Sequence, residues 1–148
     1  MSASTRVQFY HNAANRLAVA RELLTRAFDS GRRIAVRLPD ADSATEFDRQ
    51  LWTADPGSFV PHVMADSALA AETPVVLGAA GGDEAWPHHD MLFNLAPDLP
   101  PGYERFRLVV EIVGSSEADK QPARARWQHY KREGLRLQAF DAELRTAL

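Results

Sequence analysis

Residues 6–38 read RVQFYHNAANRLAVARELLTRAFDSGRRIAVRL and contain two predicted strands with a predicted helix between them. Residues 6–10 alternate between polar and apolar side chains and are rich in strand formers, which predicts a first strand. Residues 15–30 place apolar side chains on one face of a helix, and Gly31 follows where a left-handed residue commonly ends one. Residues 32–38 predict a second strand. This order of elements favours an α/β sheet with parallel pairing.

The rest of the chain continues the alternation of strands and helices. Residues 43–46 (Ser-Ala-Thr-Glu) match a capping box, so we expect a helix that is capped by Ser43 and runs to about Trp52. Residues 106–113 are almost wholly apolar, which predicts a central strand. Further predicted elements are strands at 74–77 and 91–95, a helix from 116 to about 133, and a short helix at 141–147. We expect one α/β domain over residues 1–148 with a mostly parallel sheet.

The composition excludes several classes of protein. The chain has 148 residues, of which 45% are hydrophobic and 25% charged, and these values are typical of one globular domain. It has no cysteine, so disulfides, thiolate metal sites and cysteine nucleophiles are excluded. No apolar run approaches the roughly 18 residues of a membrane span, and the first residues do not resemble a secretory signal, so we expect a cytoplasmic protein. The net charge of −3 argues against general binding to nucleic acid.

The motifs of known enzyme classes are incomplete in this sequence. The glycines of residues 78–82 are not followed by the lysine of a phosphate-binding loop, and the first strand-to-helix turn has no glycine. Asp40 and Asp42 resemble the paired aspartates of some phosphotransferases, but Ala44 stands where that pattern needs threonine. Residues 88–90 (His-His-Asp) have metal-ligand chemistry, although neighbouring residues of a strand point in opposite directions. We expect no catalytic centre, metal or cofactor, and keep a small nucleotide- or phosphate-using enzyme as the alternative.

One face of the predicted helix at 116–133 carries cationic and aromatic side chains. Four residues share this face because they are spaced by four, three and four positions: Lys120, Arg124, Trp127 and Lys131. Tyr130 lies on the adjacent flank. Residues 117–136 hold six Lys or Arg against three Asp or Glu in a chain that is acidic overall, which favours an acidic partner. The alternative left open is that Trp127 and Tyr130 face the core while the basic side chains are solvated.

A second group of large apolar residues surrounds a predicted turn. Trp52 ends a predicted helix, and residues 59–62 (Phe-Val-Pro-His) follow a stretch that contains proline and glycine. Aromatic side chains on loops often anchor protein–protein interfaces. The alternative left open is that Trp52 and Phe59 cover one end of the core.

These two regions resemble the chi subunit family of bacterial DNA polymerase III, whose members are accessory proteins of the clamp loader. The matching residues are Phe9-Tyr10 in the first strand, Leu51-Trp52 with residues 58–62 (Ser-Phe-Val-Pro-His), and residues 123–135, ARARWQHYKREGL. The family often has tyrosine where Trp127 stands. In length and in the order of its motifs the resemblance covers nearly the whole chain, and it is weakest over residues 63–105.

The resemblance implies a three-layer, Rossmann-like α/β/α domain that has no nucleotide site and no enzymatic activity. It implies an adaptor between the psi subunit of the clamp loader and the C-terminal tail of single-stranded DNA-binding protein, which is acidic and ends in Pro-Phe with a free carboxylate. The tail contacts that it implies are Lys120, Arg124, Trp127 and Gly134, and the contacts to psi or a related helicase are Trp52, Phe59 and Pro61. Helical spacing adds Tyr130 and Lys131 to the tail site.

Pro122 departs from the family pattern. It leaves two starts open for the predicted helix, at Ser116 or near Gln121, and the choice affects the position of Lys120. The resemblance further implies a monomer that forms a heterodimer with psi, without direct contact to nucleic acid or a membrane.

Overall fold

The computed structural model describes residues 5–53, 59–82, 85–144 and 146–147. Its helices are α1 (Arg16–Asp29), α2 (Ala41–Thr53) and α3 (Glu117–Arg132). Its strands are β1 (Arg6–Ala13), β2 (Ile34–Leu38), β3 (His62–Met64), β4 (Val75–Ala79), β5 (Met91–Asn94), β6 (Leu108–Gly114), β7 (Arg136–Asp141) and β8 (Thr146–Ala147). The sequence does not predict β3, because three residues are too few for an alternating pattern.

The strands of the described residues form one sheet in the order β3-β4-β2-β5-β6-β1-β7-β8. Neighbouring strands are parallel from β3 to β7, and the two-residue β8 is antiparallel to β7. Buried side chains alternate between the faces of the sheet. Val36 and Phe93 pack on the side of α1 and α2, whereas Leu92 and Val109 pack on the side of α3. The predicted α/β fold with helices on both faces is therefore confirmed.

The third helix begins directly after Ser116 and continues through Pro122. The Ser116 hydroxyl accepts the backbone N–H of Asp119 at 3.2 Å and caps the helix. Pro122 lies in the second turn, where its missing N–H removes one helical hydrogen bond without ending the helix. Of the two starts that the sequence leaves open, the one at Ser116 is confirmed, and it places Lys120 within the helix.

The prediction that Ser43 caps α2 is wrong. The helix begins at Ala41, and the carboxylate of Asp40 accepts the backbone N–H of Ser43 at 2.7 Å. Asp40 takes this role because an anionic oxygen is a stronger acceptor than a hydroxyl and is favoured by the helix dipole. Glu46, the other half of the predicted box, binds Arg49 at 2.6 Å instead.

The predicted short helix at 141–147 is also wrong, because the end of the chain adds strands to the sheet. The seventh strand lies parallel to β1, with Phe140 opposite Tyr10 and their stacked rings 5.0 Å apart between centroids. Asp141 then accepts two backbone N–H groups in a turn that leads into β8. Pairing of residues 146–147 with β7 and the two bonds to the Asp141 carboxylate give this segment strand and turn hydrogen bonds in place of helical ones. Residue 145 lies outside the described residues.

A buried polar network fixes α3 to the sheet. Glu111 in β6 is fully buried and accepts hydrogen bonds from Arg126 Nε at 3.0 Å and from the Tyr130 hydroxyl at 2.7 Å. The Asn94 amide in β5 donates to the same carboxylate at 2.9 Å, and Arg37 in β2 donates to Asn94 at 3.1 Å. Burial raises the pKa of Glu111, and the Arg126 guanidinium opposes that rise. Three neighbouring strands thereby set the position of the helix.

Candidate functional site

The exposed side chains of α3 form a cationic face with one aromatic ring. This α3 face consists of Lys120, Arg124, Trp127 and Lys131. The Arg124 side chain is 63% exposed, Lys131 is exposed, and Lys120 and Trp127 are partly buried. In the free chain the Arg124 guanidinium contacts the exposed Glu117 carboxylate at 3.3 Å. An exposed pair of this kind is worth about 0–1 kcal/mol, so an incoming carboxylate can displace Glu117.

Trp127 joins the α3 face to the sheet. Its ring meets the Phe9 ring edge-on, with 5.1 Å between centroids, and keeps part of its surface exposed. Both interpretations of Trp127 are thus met in part, since it packs on the core and also borders the surface. His11 lies 6.5 Å from the Trp127 ring and stacks on Phe9 at 5.7 Å. His11 is not among the contacts predicted from the sequence, although the strand alternation of Val7, Phe9 and His11 places all three on one face.

Tyr130 and Gly134 differ from the other predicted tail contacts. The structure places Tyr130 in the core and not on the α3 face: it is fully buried, and its ring meets the Phe9 ring edge-on at 6.0 Å. Its role is therefore to support Phe9 beneath Trp127. Gly134 is exposed after the end of α3, with φ at 76°, a left-handed conformation that favours glycine. Its N–H donates to the Lys131 carbonyl at 3.0 Å.

Trp52, Phe59 and Pro61 form an apolar patch beside β3, at the other end of the sheet from β7. Trp52 and Phe59 are 59% and 51% exposed, and their rings lie 5.1 Å apart between centroids. Pro61 is partly buried. The buried His62 imidazole lies 5.1 Å from the Trp52 ring, and its Nε2 faces the Asp48 carboxylate of α2 at 3.1 Å. The two exposed rings therefore project to solvent from a supported position and do not close the core.

The family of the chain follows from comparison with known proteins. The family model described as "DNA polymerase III chi subunit, HolC" matches residues 4–138. The chain belongs to the chi family. It is similar to the DNA polymerase III subunit chi of Pseudomonas aeruginosa, at 33% identity over 138 residues that cover 90% of this chain and 94% of that protein. It is also similar to the subunit chi of Haemophilus influenzae, at 28% identity over 119 residues that cover 80% of this chain and 82% of that protein. The subunit chi of Escherichia coli K12 is 31% identical over 122 residues, which cover 78% of each protein. Membership of the chi family supports a role as an accessory subunit in DNA replication.

In this chi-family chain two residues of the enzymatic alternative, Asp40 and Asp90, have structural roles. Asp40 caps α2, and its hydrogen bond with Ser43 lowers the pKa of its carboxyl. Asp90 binds the Arg32 guanidinium through both oxygens, at 2.7 and 2.8 Å. Within the described ranges no group of three or more His, Cys, Asp or Glu side chains is arranged to hold a metal ion. Of the helices that the structure describes, none has the length and apolar character to cross a membrane.

The crevice at which α/β proteins commonly bind nucleotides is lined by one cation, Arg16, whose guanidinium donates to the Leu95 carbonyl at 2.8 Å, and by one anion, Asp119. It has a volume of about 480 Å³ and lies at the carboxyl ends of β1 and β6, between the starts of α1 and α3. The Asn15 and Ser116 side chains are used as helix caps. The Asp119 carboxylate packs against Gly114 at the same place and would repel a phosphate. The crevice therefore holds charges of both signs and does not by itself indicate a nucleotide site.

His88 should make the fold less stable in mild acid. It is buried, and its pKa is lowered because burial disfavours the imidazolium and the Arg33 charge repels it. Below the ordinary value of 6.5 the unfolded chain binds a proton that folded His88 does not. The free energy of unfolding should therefore fall as the pH drops from 6.5 through the folded pKa, and this group should have little effect above 6.5. Urea unfolding at a series of pH values measures this slope.

The His88→Gln variant should flatten this slope by up to about 1.4 kcal/mol per pH unit, which is the limit for one proton. The pKa of His11 is also lowered, so the His88→Gln variant should keep a smaller slope of the same sign. Equal slopes in the wild type and His88→Gln would contradict the assignment.

Proposed function

We propose that this chi-family chain is a non-catalytic adaptor of the DNA polymerase III holoenzyme. It links the clamp loader, through the psi subunit, to the acidic C-terminal tail of single-stranded DNA-binding protein during replication. The observation that carries the proposal is the separation of two unlike surfaces. Trp127 of the α3 face packs against Phe9 of β1, near the β7 end of the sheet, and the apolar patch lies beside β3 at the other end. Two partners can then bind at the same time without competing.

The chemistry of the α3 face suits an acidic chain end. Arg124 offers a planar pair of N–H donors to a terminal carboxylate, and Lys120 and Lys131 attract acidic side chains at longer range. The exposed part of Trp127 offers an apolar wall to a terminal phenylalanine, and Gly134 is a further predicted contact. Burial of the phenylalanine contributes about 1.5–3 kcal/mol, and a charge-assisted hydrogen bond contributes about 1.5–3 kcal/mol. After the costs of association, a roughly micromolar affinity remains, which permits exchange.

The apolar patch suits the psi subunit, with a related helicase as a second user of the same surface. Exposed aromatic side chains that are held in place by their neighbours are typical anchors of interfaces. Because Trp52, Phe59 and Pro61 carry no charge, this contact should be tighter than the tail contact and depend little on salt. In this proposal the chain is a cytoplasmic monomer that forms a heterodimer with psi and reaches DNA only through its partners.

Titration with three forms of a tail peptide tests the proposal. A peptide with several aspartates and a C-terminal Pro-Phe should bind with a Kd of roughly micromolar order. Amidation of the terminal carboxylate, or deletion of the terminal phenylalanine, should each weaken binding about tenfold or more. An increase in salt from about 0.05 M to about 0.5 M should weaken binding further, because the charges are exposed. Equal affinity for the three peptides, or no effect of salt, would contradict the proposal.

A further inference from the structure

His11 lies in β1, beside Trp127 of the α3 face and next to β7 in the sheet. Its ring stacks on Phe9 at 5.7 Å and lies 6.5 Å from the Trp127 ring. In the register of the sheet it stands opposite Asp141 of β7. The side chain is partly exposed, so a molecule bound against Trp127 can reach it. A titratable group thus adjoins the surface that is proposed to bind the acidic tail.

Two charged groups from neighbouring elements face His11. Lys120 of α3 repels an imidazolium, and Asp141 of β7 attracts one. Asp141 is already engaged, because its Oδ1 accepts two backbone N–H groups at 2.9 Å and its Oδ2 accepts the Asn12 amide at 3.2 Å. The pKa of His11 is lowered, first by burial and then by Lys120. In the free chain at neutral pH the ring is therefore mostly uncharged.

We propose that His11 is a further contact of the acidic chain end and makes its binding stronger as the pH falls. This inference rests on the proposed function. A peptide carboxylate that binds near Lys120 and His11 adds a countercharge and screens the repulsion between them. Protonation of His11 is then easier in the complex than in the free chain, so binding takes up a proton. By linkage the affinity rises with falling pH, provided that the peptide aspartates stay ionised, above about pH 5.

The test measures the affinity of the acidic Pro-Phe peptide at about pH 7.8 and about pH 5.8 in the whole chain and in two variants. The wild type should bind more tightly at the lower pH, by at most about three- to tenfold for a pKa rise of about half a unit to one unit on binding. His11→Gln cannot take up the proton and should bind with nearly equal affinity at both pH values. His129→Gln removes the histidine of α3, which bonds with Tyr103 at 3.1 Å, and should keep the ratio of the wild type.

An NMR titration of the His11 ring supplies an independent readout, because the pKa of His11 should be higher with the peptide bound than without it. Circular dichroism at both pH values verifies that each variant is folded. If His11→Gln keeps the ratio of the wild type, or if the peptide leaves the pKa of His11 unchanged, the inference is overturned while the adaptor proposal stands. If the wild type binds the peptide at neither pH, the proposed function fails and this inference fails with it.

Discussion

The Arg124→Ala variant should fold like the wild type and bind the acidic tail peptide about 10–100-fold more weakly. The side chain is 63% exposed, and its ion pair in the free chain is with the exposed Glu117, so its removal should change the free energy of unfolding by about 1 kcal/mol at most. Binding loses a charge-assisted hydrogen bond to the terminal carboxylate, worth about 1.5–3 kcal/mol. Calorimetric titration with the peptide measures the first effect, and urea unfolding measures the second.

Two further variants make this result specific. Arg49→Ala removes an exposed arginine of α2, which pairs with Glu46, and should leave peptide binding unchanged. Glu117→Gln removes the carboxylate that competes for Arg124 and should strengthen binding by about two- to threefold. A loss in Arg49→Ala as large as that in Arg124→Ala would mean that net charge, and not the α3 face, binds the peptide.

Phe59→Ala is the reciprocal variant. The ring is 51% exposed and should be dispensable for the fold, so this variant should lose psi and bind the tail peptide like the wild type. If Arg124→Ala and Phe59→Ala each lose both partners, the model of two separate surfaces is wrong.

The Glu111→Ala variant should lose about 3–5 kcal/mol of unfolding free energy, because it leaves one member of a buried ion pair without its partner. Arg126 is 6% exposed. Of the hydrogen bonds described for it, the one to the Pro97 carbonyl would remain. The Tyr130 hydroxyl and the Asn94 amide would each lose an acceptor. Domains of this size are stable by about 5–15 kcal/mol, so the loss is a large fraction of the total. Urea unfolding followed by tryptophan fluorescence measures it.

A double variant separates the loss of the ion pair from general damage to the core. Adding Arg126→Met to Glu111→Ala removes the unpaired cation and should recover part of the lost stability. Glu111→Gln keeps an acceptor for the Tyr130 hydroxyl and should cost less than Glu111→Ala. A cost below about 1 kcal/mol for Glu111→Ala would contradict the view that this network holds α3 in place.

The layers of the fold can be predicted from the sequence because the patterns that determine them are local. Residues 106–113 predict a buried central strand, and β6 lies between β5 and β1. The pattern does not reveal that Glu111, within this apolar run, is the centre of a buried network. Its partners Asn94 and Arg126 are 17 and 15 residues away in the chain, so only the completed fold shows that they meet.

The candidate site can be predicted in part, because some of the residues that meet there are far apart in the sequence. Helical spacing places Arg124 and Trp127 on one face, but it cannot show that the Tyr130 ring turns inward to the sheet. His11 is more than 100 residues from Trp127, and the sheet register is needed to bring them together. At the cap of α2, Ser43 and Asp40 are both good capping residues, and the structure selects the carboxylate.

The order of the strands has a mechanical consequence for the proposed adaptor. The third strand and β1, against which Trp127 packs, are five strand spacings apart, which at about 4.8 Å each separates the two binding regions by about 24 Å. A continuous hydrogen-bonded sheet spans that distance, so tension applied to one partner is transmitted to the other with little loss to bending. The sheet would then act as a rigid spacer. The α3 face could release and rebind single-stranded DNA-binding protein while the apolar patch stays attached to the clamp loader.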